Sequence, residues 1–368
     1  MTAPKTPGAV APTPPTAATA TTATTAAAAT GTLRRRLLGH TAVGAALVAA
    51  GTRNVGLAAQ VSTTPDAPFT FGFIGDTPYS SLEANALRRV LAAMKAEPLE
   101  FVLHVGDIKS SLEDCDEDLL SSRLTLLDEC PHPLVLTPGD NEWTDCGRLL
   151  KPWEPGGRLE RLEWLRTHAF ERTRTFGRRS MPFARQGPHL PPERAGEAAS
   201  PKLPENQRWR VGSLQFCTLH VVGSDNAPRR GAALAQAWLL RQQANAEWLN
   251  ETVQLAIRQK AKGLAIALHA NMRFENDRMD GWARMRALVV AAAAAFDGPV
   301  LLLHGDTHHF RTDRLLLRSH GLANFRRVEC FGSPFSSSWV QVRWDPALAR
   351  AGAGEASEPF QVSIRALP

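Results

Sequence analysis

From residue 66 onward the chain alternates short apolar runs with stretches of helical spacing. FTFGFIGD (69–76), EFVLHVGD (100–107), HPLVLTPGD (132–140), GLAIALHA (263–270) and PVLLLHGDTHH (299–309) have the length and apolar density of buried strands. Between them, SLEANALRRVLAAMKAE (81–97) and EDLLSSRLTLLDE (117–129) place apolar residues at helical intervals, with Ser81 positioned to cap the first. A longer stretch, 231–260, predicts an amphipathic helix lying on a sheet. The C-terminal runs 326–346 and 359–368 alternate like strands and are predicted to finish a second sheet. Strand and helix in turn, spaced as βαβ crossovers, predict an α/β layered domain.

The strand ends carry the chemistry. In open α/β sheets, side chains just past the carboxyl ends of the strands face a shared crevice. The first three runs each end in Gly-Asp, offering Asp76, Asp107 and Asp140 or Asn141. The later runs offer His269, then Asp306 and His308. One such end is an ordinary turn aspartate or a satisfied core histidine; five in succession argue for one site. Mixed Asp, Asn and His donors suit a pair of transition-metal ions better than a thiolate zinc site or an all-oxygen cage. Two such ions about 3.5–4 Å apart, bridged by a carboxylate, activate water for in-line attack on phosphorus.

Composition changes where the charge is read. The formal net charge is +6, yet five of the 42 Lys and Arg precede residue 60 and none of the 36 Asp and Glu do. The remainder therefore holds 37 basic against 36 acidic residues and is close to neutral. Residues 1–31 are almost entirely Ala, Thr, Pro and Gly, too poor in large apolar groups to order themselves. Arg34-Arg35-Arg36-Leu37-Leu38 then precedes a weakly apolar run ending near Gly51, and small residues at Ala58 or Ala59 suit a cleavage site. Residues 1–59 thus resemble a leader with a twin-arginine export signal, which implies a periplasmic or secreted protein with no membrane span after processing. The five cysteines form no CxxC pair. In an oxidising compartment Cys115, Cys130 and Cys146 can supply one disulfide, and Cys115 with Cys146 is the expected pair because both lie just beyond strand ends. Cys217 and Cys330 sit in apolar runs as core residues.

The blocks GDTPY, GDIKSS, GDNEWTDC, ALHA and HGDTHHF, spread over residues 69–345, resemble in order and spacing the motif series of calcineurin-like metallophosphoesterases. The resemblance implies two stacked mixed β-sheets flanked by helices, and two divalent or trivalent ions of Mn, Fe or Zn. It implies Asp76 on the first metal, Asp107 bridging, Asn141 and His269 on the second, and His308 on the first. Three positions depart from the family pattern. Pro78 replaces a ligand histidine, with Tyr79, the only tyrosine, one residue further as a ligand, substrate contact, catalytic group or packing residue. The third block reads Gly139-Asp140-Asn141-Glu142 and lacks the histidine that protonates the leaving group, leaving Glu142 or His309 for that role. Asp306 stands where the family has a histidine and makes the site harder, with His304 placed to orient a ligand.

Residues 147–207 are irregular and rich in arginine, a possible lid, with Arg161 or Arg166 as phosphate contacts or as a solvated face paired with nearby glutamates. HVVGSDNAP (220–228) closes another strand and offers Asn226 as a substrate-facing amide or a turn. No GxxxxGK loop and no GxSxG elbow is present. The expectation is hydrolysis of a small-molecule or lipid phosphate ester, with no nucleic-acid partner. The rival expectation is a binding protein on the same fold that has lost catalysis.

Overall fold

The computed structural model describes residues 66–147, 157–187, 202–227, 229–276, 278–335, 337–349 and 358–367. The leader 1–59 lies outside the described residues, as do 148–156 and 188–201 of the expected lid. Among the described residues the strands form two mixed sheets. The first orders β12-β11-β1-β2-β3 and the second β4-β5-β6-β7-β8-β10-β9. In the first, β1 (Phe69–Ile74), β2 (Leu99–His104) and β3 (Leu134–Leu136) run parallel, while β11 (Ser338–Trp344) and β12 (Phe360–Ala366) add antiparallel strands at the β1 edge. In the second, β6 (Leu214–Thr218), β7 (Gly263–Ala267), β8 (Val300–His304) and β10 (Phe325–Glu329) are parallel. Its edges are antiparallel, with β4 (Ala184–Arg185) and β5 (Gln207–Val211) at one side and β9 (Arg311–Asp313) at the other.

The two-residue period of a strand explains the layers. Phe71 and Phe73 of β1, Phe101 and Leu103 of β2, and Leu301 and Leu303 of β8 face the space between the sheets. Their alternates Ile74 and Val102 meet Leu87, Val90, Leu91, Leu120 and Leu124 from the helices Ser81–Ala93 and Glu117–Asp128. Ile266 and Leu302 meet Trp248, Val253, Met285 and Val289 from the helices Ala232–Arg258 and Ala283–Ala295. Strands buried on both faces read as unbroken apolar runs, which is why the sequence showed them so clearly. The stacked, helix-flanked sheets match the expected fold class.

Two expectations shift. β11 and β12 join the first sheet through β1 rather than finishing the second. The alternation of a strand fixes which residues share a face but not which edge receives it. The first helix is capped by Ser80, whose hydroxyl accepts from the Glu83 amide at 3.2 Å, one residue before the expected Ser81. Within the expected lid, the helix Arg158–Leu165 packs Leu162 and Leu165 into the first sheet's outer core. Among the described residues, no helix is long and apolar enough to cross a membrane.

Between the sheets Phe101 stacks on Phe71 at 5.0 Å and meets Phe216 and Trp209 edge-on at 5.1 and 5.4 Å, joining both sheets through aromatic contact. Phe101→Ala is expected to lower stability by about 3–5 kcal/mol, the range for emptying a buried aromatic site. Chemical denaturation followed by fluorescence measures it, and an unshifted midpoint would contradict the shared core.

Candidate metal centre

Four aspartates reach one place because each follows a glycine at the end of a strand: Gly75-Asp76 after β1, Gly106-Asp107 after β2, Gly139-Asp140 after β3 and Gly305-Asp306 after β8. Asp76, Asp107 and Asp306 adopt φ of 53°, 57° and 82°, and His308 62°. This left-handed conformation is costly for residues bearing a Cβ and persists where the surroundings enforce it. It turns the chain sharply as the strand ends and brings each side chain back over the sheet edge. The backbones approach so closely that glycine is required: a methyl on Gly106 would stand 2.2 Å from the Gly139 nitrogen, and one on Gly139 2.1 Å from Asp107 Oδ1.

His269, at the end of β7, is the centre of the cluster. Its Nδ1 lies 2.8 Å from the Val105 carbonyl, which takes the ring N–H and turns Nε2 toward the carboxylates. Nε2 is 3.0 Å from Asp140 Oδ1, 3.5 Å from Asp107 Oδ1 and 3.8 Å from Asp306 Oδ1. His308 repeats the device: Nδ1 meets the Ser333 carbonyl at 2.8 Å, while Nε2 sits 3.2 Å from the Tyr79 hydroxyl and 3.6 Å from Asp76 Oδ1. The amide of Asp306 donates to both oxygens of Asp76 at 3.1 Å. Two sets of donor atoms, Asp76 with Asp107 and His269, and Asp140 with His269 and Asp306, each lie within 4.8 Å of one another.

The electrostatics mark this cluster as a cation site. Among the described residues, the ion-pair partners of the four aspartates are histidines alone. Burial pushes the Asp76 and Asp107 carboxyls up, and neighbouring carboxylates push them further. Asp306 is raised to about 7, first by burial. Burial works against a charged His269, yet Asp107 and the hydrogen bond to Asp140 hold it well above its ordinary value. Burial likewise opposes the charge on Asp140, but the His269 hydrogen bond keeps that carboxyl low. So much converging negative charge with so little positive charge fits metal ions, and the oxygen and imidazole donors are of the right chemical kind.

The expected ligand set needs one correction. Asp140, not Asn141, faces His269, and Ser224 Oγ donates to its other oxygen at 2.6 Å. The Asn141 amide donates to Asp107 Oδ1 at 3.0 Å, which turns its side chain toward the Tyr79 hydroxyl at 3.1 Å and the Lys109 carbonyl at 3.2 Å. The fourfold Gly-Asp repeat was the signal that singles out Asp140. Tyr79 lies inside the cluster, donating to Asp107 Oδ2 at 2.8 Å; burial and the adjacent carboxylates keep its phenol protonated.

Other candidates separate. Glu142 is buried beneath the centre; Oε1 accepts from the Gly139 amide at 2.7 Å, Oε2 has no partner, and burial with Asp107 raises the carboxyl to about 8. His309 is exposed and bonds to none of these residues. His304 points its Nδ1 at the Gly305 carbonyl, 3.0 Å away, and burial lowers it to about 4, so it braces the Asp306 turn as a neutral ring. Arg161 and Arg166 are corrected as phosphate contacts. Arg161 is buried against Glu117, and Arg166 grips Glu205 and Glu163, with Glu205 also holding His220. Asn226 is corrected too: it is buried, donating to the Gly281 carbonyl and accepting from Arg241, so it fastens a turn rather than facing a substrate. That turn runs through Ser224, Asp225, Asn226 and Ala227, all at positive φ, and presents Ser224 to Asp140. The disulfide is Cys115–Cys146, joining the loop after Asp107 to the loop after Asp140, while Cys130, Cys217 and Cys330 are buried and free.

No family model and no curated protein matches the chain. Among solved structures it is similar to a dimetal phosphatase from Danio rerio, at 14% identity over 80% of this chain and 98% of that one, with a TM-score of 0.43. It is also similar to GAP50, the anchor in the inner membrane complex of Plasmodium, at 10% identity over 82% and 90%, TM-score 0.43. A purple acid phosphatase from yellow lupin overlaps at 11% identity over 82% of this chain and 55% of that one, TM-score 0.40. Each likeness is distant, and what the centre can do follows from its own residues.

Because folding favours a protonated Glu142, its contribution to stability is complete below the ordinary 4.5 and is lost as pH rises toward 8. Raised His269 acts in the same direction. Below about 6.5 the buried neutral His104, His220 and His304, each lowered to about 4, act the other way, so metal-free protein is expected to melt at progressively lower temperature from pH 6.5 to 8, and Glu142→Gln to show a shallower decline there. Thermal melts after chelation measure both, and identical slopes would contradict the buried proton.

Proposed function

We propose that this protein is a metal-dependent hydrolase of phosphate esters. The observation that supports it most is the convergence of three buried aspartates, the half-buried Asp306 and two carbonyl-oriented histidines on one place. Asp76, Asp107, Asp140, His269, Asp306 and His308 would hold two transition-metal ions, drawing on the donor sets Asp76, Asp107 and His269, and Asp140, His269 and Asp306. When bound, such ions supply Lewis acidity, activating water and offsetting phosphoryl charge. With Asp140 and Asp306 where the family pattern has amide and imidazole, the donor set is rich in hard oxygen and favours Mn or Fe over Zn.

The chain's own groups do the rest. The Val105 and Ser333 carbonyls fix the tautomers of His269 and His308, and Ser224 orients Asp140. Tyr79 keeps its phenolic proton beside Asp107 and, being half-buried at the opening, is placed to hydrogen-bond a phosphoryl or leaving oxygen. Glu142, raised to about 8 by burial and Asp107, keeps its proton near neutral pH while its Oε1 accepts from the Gly139 amide and so holds the turn that carries Asp140. The Cys115–Cys146 disulfide supports export to an oxidising compartment, the periplasm or beyond, as the leader suggests.

Purified protein reconstituted with Mn or Fe is expected to carry two ions by elemental analysis and to hydrolyse p-nitrophenyl phosphate or its bis-ester. Asp107→Asn should lower turnover by more than about a hundredfold, as removal of a preorganised electrostatic group does, and reduce metal content. Tyr79→Phe should keep the metal and lose turnover. Full activity of Asp107→Asn, or an inert wild type loaded with metal, would refute the assignment; the second result would favour a binding protein on this fold.

A further inference from the structure

Glu83, Ser333, His308 and Tyr79 close a ring of contacts beside Asp76. Glu83 Oε2 accepts from the Tyr79 amide at 2.9 Å, and Oε1 accepts from Ser333 Oγ at 2.7 Å. The Ser333 carbonyl meets His308 Nδ1 at 2.8 Å. His308 Nε2 returns to the Tyr79 hydroxyl at 3.2 Å, with the two rings edge to face at 5.2 Å. The ring ties together the turn after β1, the first turn of the helix Ser81–Ala93, the loop after β8 and the loop after β10.

Ser333 is the junction of this ring with the metal centre. Its amide donates to the Asp76 carbonyl at 2.8 Å, its carbonyl turns His308, and its hydroxyl reaches Glu83. A methyl on the neighbouring Gly332 would stand 2.2 Å from Asp76 Cβ, so the loop is pressed against the Asp76 turn. His308 sits at φ 62°, a conformation that persists where its surroundings enforce it. Glu83 also belongs to the helix cap, its amide donating to Ser80 Oγ at 3.2 Å. Capping uses bonds within the first turn and the residues just before it. The bond to Ser333, 250 residues further along the chain, is outside that requirement.

We propose that Glu83 is a positioning residue for the metal centre: by pinning the Ser333 hydroxyl and the Tyr79 backbone with one carboxylate, it holds the His308 ring and the Tyr79 phenol in place beside Asp76. The inference rests on the metal-dependent hydrolase reading, and its main readout, manganese affinity, needs no turnover. Chelated full-length wild type, Glu83→Ala, Glu83→Gln, Ser333→Ala and the double alanine variant are titrated with manganese by calorimetry. Turnover of p-nitrophenyl phosphate is then measured at saturating manganese, and thermal melts identify the variants that are folded at the assay temperature. Glu83→Ala is expected to weaken manganese binding about tenfold, the low end for residues that orient ligands, and to lower kcat as well. Ser333→Ala, which leaves the helix cap intact, shows a smaller loss and carries the test alone where Glu83→Ala does not fold. The double variant is no weaker than Glu83→Ala, because both substitutions remove the same bond. Glu83→Gln recovers most of the affinity, since its amide oxygen still accepts from Tyr79 and its NH2 donates to the Ser333 hydroxyl. A residue that served the helix cap alone would change the melting temperature and leave affinity where it was. Wild-type affinity in both alanine variants, losses that add in the double variant, or a Glu83→Gln as weak as Glu83→Ala overturns the positioning role. The expected affinity pattern in a protein that cleaves no ester upholds that role and overturns the hydrolase reading; a wild type that binds no manganese overturns both.

Discussion

Uncompensated negative charge, gathered where parallel strands end, is the constraint around which this protein is built. Asp76, Asp107 and Asp306 are all raised by burial and by neighbouring carboxylates, and the basic side chains that face them from the protein are histidines. A buried carboxylate without a partner is among the more expensive features a fold can hold. Here the expense is concentrated at the strand ends, with left-handed backbone at Asp76, Asp107 and Asp306. Metal ions would convert the liability into the strongest interaction in the molecule.

Everything beneath the centre serves to hold those turns still. The aromatic group of Phe71, Phe101, Trp209 and Phe216 fastens the two sheets, so strand ends from different sheets keep their separation. Glycines let the Asp107 and Asp140 turns touch, and the Cys115–Cys146 disulfide ties the loops beyond them. Backbone carbonyls of Val105 and Ser333 set the two histidine rings. A second buried polar network, Arg166–Glu205–His220, joins the Arg158–Leu165 region to the second sheet. Arg166 and His220 hold the Glu205 carboxyl far below its ordinary range although burial works the other way. That network accounts for Arg166 without any role toward a substrate.

The corrections share one cause. Asn141 and Asp140 are neighbours, and which of them enters the centre depends on whether a backbone amide is captured by Asp107, an interaction across two strands. Arg161, Arg166 and Asn226 have the chemistry of anion or substrate contacts, but their partners Glu117, Glu205, Arg241 and Gly281 come from distant stretches of chain. Residue type states what a side chain is able to do; its neighbours select which of those things it does.

The sequence by itself determined the apolar runs of β1, β2, β3, β7 and β8, the α/β class and the five strand ends that carry donors. Those features follow from local periodicity and from the rule that strands buried on both faces are continuously apolar. The preferred disulfide pair was legible for the same reason, since both cysteines trail strand ends. Only the tertiary structure decided that β11 and β12 extend the first sheet, that Tyr79 stands among the strand-end donors, and that Asp140 rather than Asn141 faces His269. Each of these turns on contacts of a few ångströms between segments tens to hundreds of residues apart, and such contacts leave no period in the chain.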